Sequence, residues 1–314
     1  MTQLPLPPLR RDSARGIGCL VAGIAIFSVQ DLIIKQLSGS YPLYEAMIIR
    51  SLTAIPFLLA LVHFNGGLGT LITPGWRQMI LRGFIMFGAY TCYYLALAAL
   101  PMATTAALYF SAPLFITLLS VLVLKEQVGP HRWFAVIAGF CGVLIMLRPG
   151  TELFDWARLL AVFSGLCYGL SMISARSLGT VHSAAALAFY GNAVFLGVAL
   201  LLALVFGSGS FGHAPHKSLE FFMRGWVAPS QVDLMLMMTC GIIAALGLTL
   251  LTQAYRITEA NVVAPFEYSA LIWSVVYGWI FWRDWPDTVG WIGIFMIVGS
   301  GLYVLYRERL RGGQ

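Results

Sequence analysis

A single carboxylate interrupts one of the longest apolar stretches in this sequence. Glu267 is the only charged residue between Ala260 and Trp282. An ionised side chain at the centre of a membrane-spanning helix costs about 2.5–3.5 kcal/mol on insertion scales, so it normally faces the protein interior or a wet cavity. Glu267 comes seven residues into this stretch, which corresponds to a depth of roughly 10 Å at ~1.5 Å per residue. We therefore predict that it contacts a substrate or exchanges protons, with a structural hydrogen bond as the alternative.

Two other charges occupy apolar stretches at matched depth. Asp31 comes six residues before the end of the first stretch, and Arg50 comes six residues after the start of the second. Neighbouring antiparallel helices would bring these side chains together, so we expect an ion pair, with direct substrate contact as the alternative.

Uncharged polar and aromatic residues also fall in the middle of apolar stretches. Each one alone is more typical of packing or of a hydrogen bond between helices than of ligand binding. Together they predict a pocket that stacks on a planar group. The candidates are Gln30, Tyr90, Tyr94, Tyr109, Ser111, Tyr168, Asn192, Gln253, Tyr268 and Trp273.

Composition places these residues in a membrane protein. Of the 314 residues, 59% are hydrophobic and 10% are charged, against about 25% charged residues in an ordinary soluble domain. Stretches of about the 20 apolar residues that cross a bilayer as a helix recur along the chain. The ten predicted spans are Ile17–Leu37, Tyr44–Phe64, Met79–Leu100, Thr104–Leu124, Trp133–Leu147, Leu159–Ala175, Ala184–Phe206, Val232–Ala254, Ala260–Trp282 and Thr288–Tyr306.

The distribution of basic residues predicts the orientation. With the N-terminus inside, twelve Lys and Arg residues fall on the inner side and six on the outer side, and basic residues favour the cytoplasm. We therefore expect both termini to be cytoplasmic. The same distribution accounts for the formal charge of +6 without a nucleic-acid partner.

Common catalytic and cofactor motifs are missing from the sequence. It contains no GxxxxGK[ST] phosphate loop and no HExxH pair, and its five cysteines lack CxxC spacing. We expect neither a cofactor nor a metal, and a protein that is not an enzyme.

The two halves of the chain resemble each other. A shift of 158 residues aligns "ALAALPMATTAALYFSAPLFITLLSVLVLKE" with "AYRITEANVVAPFEYSALIWSVVYGWIFWRD" without a gap, and a shift of 141 aligns Phe27 with Tyr168. Five spans in each half are an odd number, so the second repeat would be inverted. The alternative is that hydrophobic helices resemble one another by chance.

This arrangement defines the predicted domains. They are a cytoplasmic tail at residues 1–16, a first five-helix repeat at 17–148, a second, inverted repeat at 156–306 and a basic cytoplasmic tail at 307–314. Inverted repeats are typical of secondary transporters, which bind substrate between the repeats and alternate access by rocking one against the other. The predicted fold class is an all-α membrane protein with ten transmembrane helices in two inverted five-helix repeats.

The sequences that close the two halves carry a resemblance to a known family. "LRGFIMFGAYTCYYLALAALPMATTAALYF" in the first half and "ITEANVVAPFEYSALIWSVVYGWIFWRDWP" in the second resemble the EamA-type branch of the drug/metabolite transporter superfamily. "QDLIIKQL" and "YPLYEAMIIR" are similar to the group that includes bacterial S-adenosylmethionine and riboflavin transporters. The resemblance implies a central cavity built from the first, third, fourth, sixth, eighth and ninth helices.

The resulting hypothesis is a secondary-active transporter in the bacterial inner membrane. It would move a small polar organic metabolite, S-adenosylmethionine-like or riboflavin-like, by alternating access, with proton or exchange coupling through Glu267. An amino-acid or drug exporter of the same superfamily is the alternative, and a non-transporting membrane sensor or lipid-modifying enzyme is the alternative of another class. The expected partners are the metabolite and the lipid bilayer. A ten-helix unit can enclose a site alone, and a homodimer stays open.

Overall fold

A computed structural model of the protein describes residues 13–64, 66–124, 129–151, 154–178, 184–211, 214–257 and 264–312. These residues form helices and short helical turns, with no strand among them. Most of the predicted tail at 1–16, the end of the tail at 307–314 and the first four residues of the predicted ninth span lie outside the described residues. The helices are α1 (Ser13–Leu37), α2 (Leu43–Phe64), α3 (Trp76–Ala99), α4 (Met102–Tyr109), α5 (Ala112–Leu124), α6 (Pro130–Leu147), α7 (Ala157–Leu178), α8 (Ala184–Phe206), α9 (Lys217–Met223), α10 (Gln231–Ile257), α11 (Ser269–Tyr277) and α12 (Thr288–Gly312).

Five helical segments of the described chain are long and apolar enough to cross a membrane. They are Ala14–Leu37, Leu43–Phe64, Trp76–Ala99, Met102–Leu119 and Ala185–Phe206. Shorter apolar helices follow at Trp133–Leu147, Ala157–Met172, Gln231–Gly247 and Thr288–Tyr303. Many large apolar side chains point away from the bundle, such as Phe64 and Leu204, which are 83% and 82% exposed. An outer surface of this kind is suited to lipid.

Two of the predicted spans are interrupted rather than continuous. The fourth breaks between α4 and α5, because Pro113 has no N–H to donate and its ring crowds the carbonyl of Tyr109, four residues earlier. The ninth consists of a 3₁₀ turn at Ala264–Tyr268, then α11, then a π-helical turn at Gly278–Trp282. The breaks fall at equivalent positions of the 158-residue alignment, and the equivalent residues Phe110 and Tyr268 touch, with ring centroids 4.9 Å apart.

The helices pack in pairs that correspond between the two halves. Helix α1 packs on α10 and α3 packs on α7, while α2 packs on α8 and α6 packs on α12. Small residues allow the first two pairs to approach closely. Gly23 of α1 faces the backbone of Gly247 on α10, and at the equivalent crossing Ser164 Oγ of α7 donates to the carbonyl of Ala89 on α3 at 2.7 Å.

The buried core lies toward one end of the bundle, which we call the Leu37 end; the opposite end is the Phe64 end. Ile34, Leu37, Tyr44, Leu97 and Phe221 belong to one buried cluster there. A second cluster includes residues of α4, α6, α7, α11 and α12, and so draws on both halves of the chain. This packing leaves the space for a site between the middle of the bundle and the Phe64 end.

Lys35 ties three elements together at the Leu37 end. Its Nζ donates to the carbonyls of Leu97 and Leu100, at 2.8 and 2.6 Å, and lies 5.2 Å from the centre of the Trp282 ring. A cation at the last carbonyls of a helix also interacts favourably with the helix dipole. Helix α1 is thereby fixed to the end of α3 and to the end of the ninth segment.

Helices α6 and α12 are held together by close contact at Gly142. A Cβ added at this position would lie 2.8 Å from Met296 Cβ and 3.1 Å from the carbonyl oxygen of Gly293. Neither neighbour is the flexible tip of a side chain, so the helices would have to move apart.

We expect Gly142→Ala to destabilise the protein. Overpacking typically costs about 1–3 kcal/mol, which outweighs the ~1 kcal/mol that alanine gains over glycine within a helix. The matched control is Gly299→Ala on α12, where an added Cβ meets nothing within 4 Å and where stability should hold or rise. Thermal unfolding of both variants in detergent checks this, and equal midpoints would contradict the packing argument.

Candidate functional site

A chamber of about 210 Å³ lies at the centre of the bundle. Six elements line it, namely α1, α3, α4, α7, α10 and the segment that begins with the 3₁₀ turn. These elements correspond to the first, third, fourth, sixth, eighth and ninth of the predicted spans, the set that the family resemblance implies. Its lining residues with polar groups or aromatic rings are Phe27, Ser28, Gln30, Asp31, Tyr90, Tyr93, Tyr94, Tyr109, Phe110, Ser164, Tyr168, Glu267 and Ser274.

Helical spacing brings the α1 residues of this central chamber to one side. Ile24, Phe27, Ser28 and Asp31 recur at intervals of three and four, so they share a helix face. The tyrosines of α3 follow the same rule, since Tyr90 and Tyr94 are four residues apart. The sequence therefore fixes which side chains face the chamber once the packing of α1 against α10 and α3 against α7 is set.

Gln30 connects the chamber to Arg50. Its Nε2 donates to Tyr94 Oη at 2.7 Å, and its Oε1 accepts from Arg50 Nε at 3.2 Å. Gln30 is 1% exposed, so both of its polar atoms depend on these partners. The amide thus holds Tyr94 and Arg50 in fixed positions on either side of α1.

The predicted Asp31–Arg50 ion pair is not formed. Asp31 Oδ2 accepts from Tyr93 Oη at 2.9 Å, and Arg50 donates to Gln30. The ion pairs between described residues involve other side chains. Asp31 and Arg50 do lie at similar depth. Adjacent residues of a helix point in different directions, however, and on α1 it is Gln30, one residue before Asp31, that faces Arg50.

Tyrosine rings form a continuous wall of the chamber. The ring of Tyr109 lies between those of Tyr93 and Tyr168, at centroid distances of 5.3 and 5.5 Å, and Tyr90 lies 6.1 Å from Tyr94. Aromatic faces of this kind accept planar groups and cations.

Glu267 enters the chamber from the 3₁₀ turn at Ala264–Tyr268. Its equivalent in the first half, Tyr109, lines the same chamber from α4. Asp31 lines it as well, so among the described lining residues the charged groups are both carboxylates. The chamber therefore favours a ligand with positive charge.

A second chamber of about 350 Å³ adjoins the first toward the Phe64 end. It shares Phe27 and Tyr90 with the central chamber. We call it the arginine chamber, because Arg50 of α2 and Arg82 of α3 line it, together with Asn192 of α8 and apolar residues. The Asn192 side chain donates to the carbonyl of Ser51 at 3.1 Å.

Three predicted site residues line neither chamber, and the side chain of a fourth lies outside the described residues. Ser111 is buried, and its Oγ donates to the carbonyl of Leu108 at the α4–α5 break. Tyr268 packs on Phe110, and Trp273 packs near Tyr277, with neither lining a chamber. The side chain of Gln253 falls outside the described part of α10. The other candidates line one of the two chambers.

Several residues that line the two chambers were not among the predicted site residues. Phe27, Tyr93 and Phe110 look like ordinary core residues in an apolar stretch. Arg82 is one of the twelve basic residues that were assigned to the inner side, and it comes six residues after the start of α3. Its spacing of eight residues from Tyr90, about two helical turns, is the signal that could have placed both on one face.

Comparison with known proteins assigns the family. The model of the EamA-like transporter family matches residues 14–148 and 155–306, one match in each half. The chain belongs to this family. It is therefore a non-enzymatic transporter of the drug/metabolite transporter superfamily, a multi-pass bacterial membrane protein whose substrate is a small molecule.

Curated relatives at 25–29% identity carry different substrate names. An S-adenosylmethionine uptake transporter of Rickettsia felis is 26% identical over 94% of this chain and 93% of its own. A riboflavin transporter of Rhizobium johnstonii is 29% identical over 99% and 96%. A pseudopaline exporter of Pseudomonas aeruginosa is 26% identical over 90% and 93%.

The fold of this EamA-like transporter also occurs among solved structures. A crystal structure of another protein, 18% identical in sequence, superposes with a TM-score of 0.62. The match covers 93% of this chain and 98% of the chain in the crystal structure. It shows that the helices are arranged alike in the two proteins.

We expect Gln30→Leu to destabilise this transporter. The change leaves Tyr94 Oη and Arg50 Nε without their partner, and each buried polar group left unpaired costs about 1–3 kcal/mol. The matched control is Ser28→Ala, because Ser28 lines the same chamber from α1 but donates only to the carbonyl of Ile24 in its own helix. A thermal midpoint in detergent that falls no further for Gln30→Leu than for Ser28→Ala would show that the Gln30 bonds contribute little.

Proposed function

We propose that this EamA-like transporter is a secondary-active carrier of a small polar metabolite with a planar aromatic group, located in the bacterial inner membrane. The observation that carries the proposal is the central chamber, where both halves of the chain contribute lining residues around two carboxylates. Charges inside a membrane-spanning bundle mark substrate and ion pathways. S-adenosylmethionine and riboflavin, named for two relatives, both contain a planar ring system that the tyrosine wall could accept.

Alternating access between two inverted repeats is the proposed mechanism. In the repeat alignment α1 is equivalent to α7, α2 to α8, α3 to α10 and α6 to α12. Exchanging the two halves therefore converts the α1–α10 pair into the α7–α3 pair, whereas the α2–α8 and α6–α12 pairs are unchanged. This is the contact pattern expected for repeats related by a two-fold axis. In the proposed orientation the termini and the Phe64 end face the cytoplasm, and the contacts of Lys35 close the opposite side.

The direction of transport follows from the gradients and the coupling ion. We propose uptake, as in the relatives named for S-adenosylmethionine. Export is the second candidate, since a relative of similar coverage is named an exporter.

Glu267 is the proposed proton-coupling group. In proteoliposomes, uptake of labelled S-adenosylmethionine, riboflavin and a panel of amino acids should be saturable for one class and should respond to a pH gradient. We expect Glu267→Gln to abolish that response, because an amide does not titrate. Transport that responds to the gradient equally in wild type and variant would make Glu267 structural.

The control variant for this experiment is Asp287→Asn. Arg148 donates to the Asp287 carboxylate from the end of α6, and this bond holds the pKa of Asp287 below its ordinary value of 3.8. The group therefore stays ionised near neutral pH, where the assay is run, so its removal should leave the pH response unchanged. Proteoliposomes that take up nothing from the panel would contradict the proposed substrate class.

We expect Lys35→Met to favour opening at the Leu37 end. Methionine keeps the packing of the alkyl chain but loses both bonds to the end of α3. A cysteine introduced at Ser28 in a cysteine-free background would report on the central chamber, and a membrane-impermeant maleimide added outside intact cells should label it several-fold faster in the variant. Gln36→Met is the control, because Gln36 is exposed beside Lys35. Equal labelling rates would show that Lys35 does not limit opening.

A further inference from the structure

The arginine chamber holds two cations that have no anionic partner among the described residues. Arg50 Nε donates to Gln30 Oε1, and Arg82 Nε lies 3.4 Å from the carbonyl oxygen of Ser171. Neither guanidinium has a carboxylate oxygen within 4.0 Å among the described residues. Each guanidinium carries five N–H donors, so most of these donors have no acceptor among the residues that the structure describes.

Such an arrangement is costly without a ligand. Both arginines are partly buried in a chamber whose other walls are largely apolar, including Leu58, Met86 and Phe195. Partly buried cations in a membrane-spanning bundle require a partner, and a guanidinium pairs best with a planar carboxylate or with phosphate. The chamber is thus suited to an anionic group, and none of the described residues supplies one.

The two chambers segregate charge by sign. The described charged residues of the central chamber are Asp31 and Glu267, whereas those of the arginine chamber are Arg50 and Arg82. Phe27 and Tyr90 line both, so the chambers are neighbours that one ligand can span. A molecule lying across this boundary meets positive charge at one end and negative charge at the other.

We propose that the arginine chamber is a carboxylate subsite and that the transported molecule is a zwitterion. Its carboxylate binds Arg50 and Arg82, and a cationic group several bonds away lies among the carboxylates and rings of the central chamber. The inference rests on the proposed transport function and specifies its substrate class. It favours a molecule such as S-adenosylmethionine, which carries a carboxylate and an ammonium on one carbon and a sulfonium next to its nucleoside, over riboflavin, which has no carboxylate.

Equilibrium binding to the purified protein tests the subsite separately from transport. The probes are S-adenosylmethionine, its decarboxylated form, which lacks the carboxylate, and S-adenosylhomocysteine, which lacks the sulfonium charge. We expect wild type to bind the decarboxylated compound about 10–100-fold more weakly than the parent, the range given by hydrogen bonds to a charged group. S-adenosylhomocysteine should also bind more weakly, through loss of the cation.

Variants assign the preference to the two arginines. Arg50→Gln and Arg82→Gln should each bring the ratio of the two affinities toward one, mainly by weakening binding of the parent. Arg50→Lys keeps the charge but loses the planar fork, so an intermediate ratio is expected. The control is Arg77→Gln, because Arg77 is on the same helix as Arg82 but lies against Trp76 outside both chambers, and its ratio should equal that of wild type.

Each outcome decides the proposal. Equal binding of the parent and decarboxylated compounds, no binding of any probe, or a preference that survives in both glutamine variants would overturn the carboxylate subsite. Displacement of the parent by inorganic phosphate at lower concentration than by a free amino acid would also overturn it, in favour of a phosphate site. A carboxylate preference in binding without uptake into proteoliposomes would support the subsite and overturn the transport function instead. Thermal midpoints of the variants identify any that fail to fold.

Discussion

The cost of a charge inside a membrane-spanning bundle is the constraint on which this structure depends. Asp31, Glu267, Arg50 and Arg82 each need a polar partner or a wet chamber, and the protein supplies both. Gln30 Oε1 accepts a hydrogen bond from Arg50 Nε, and Tyr93 donates one to Asp31 Oδ2. The remaining donors and acceptors face two adjoining chambers of opposite sign. The buried amide of Gln30 takes the contact with Arg50 that Asp31 would otherwise make, so Asp31 and Arg50 face different chambers.

Helix packing sets the size and position of those chambers. Small residues at the α1–α10 and α3–α7 crossings bring each pair close together, and the rings of Phe27 and Tyr168 occupy equivalent positions beside them. At the Leu37 end, apolar clusters and the bonds of Lys35 hold the helices together, and Lys35 also lines a cavity of about 580 Å³ at that end. The central and arginine chambers lie on the other side of this contact, between the middle of the bundle and the Phe64 end.

The sequence predicted the helices better than their faces. Hydrophobic length located α2 and α8 almost to the residue, because a bilayer demands a long apolar run. Tyr109 and Glu267, which are equivalent in the 158-residue alignment, line the same chamber, and their role in binding stays a prediction. Depth failed for Asp31 and Arg50, because depth says nothing about rotation around the helix axis. It also misassigned Trp273, whose face depends on the packing of α11 against α1. Pro113 indicates an irregularity near the break after Tyr109. Whether a proline bends a helix or divides it depends on the residues packed around it.

The contact between Phe110 and Tyr268 has a consequence for how such a protein can evolve. The two residues are equivalent in the repeat alignment and stack on each other, so the contact maps onto itself when the halves trade places. The α1–α10 interface, by contrast, has a second copy in α3–α7, so these two copies can diverge from each other. A self-paired contact has no second copy, so under the proposed alternating access a change in either ring would affect both conformations. This pair can serve as a fulcrum that both states share, and mutational drift there should be slower than in the chambers on either side.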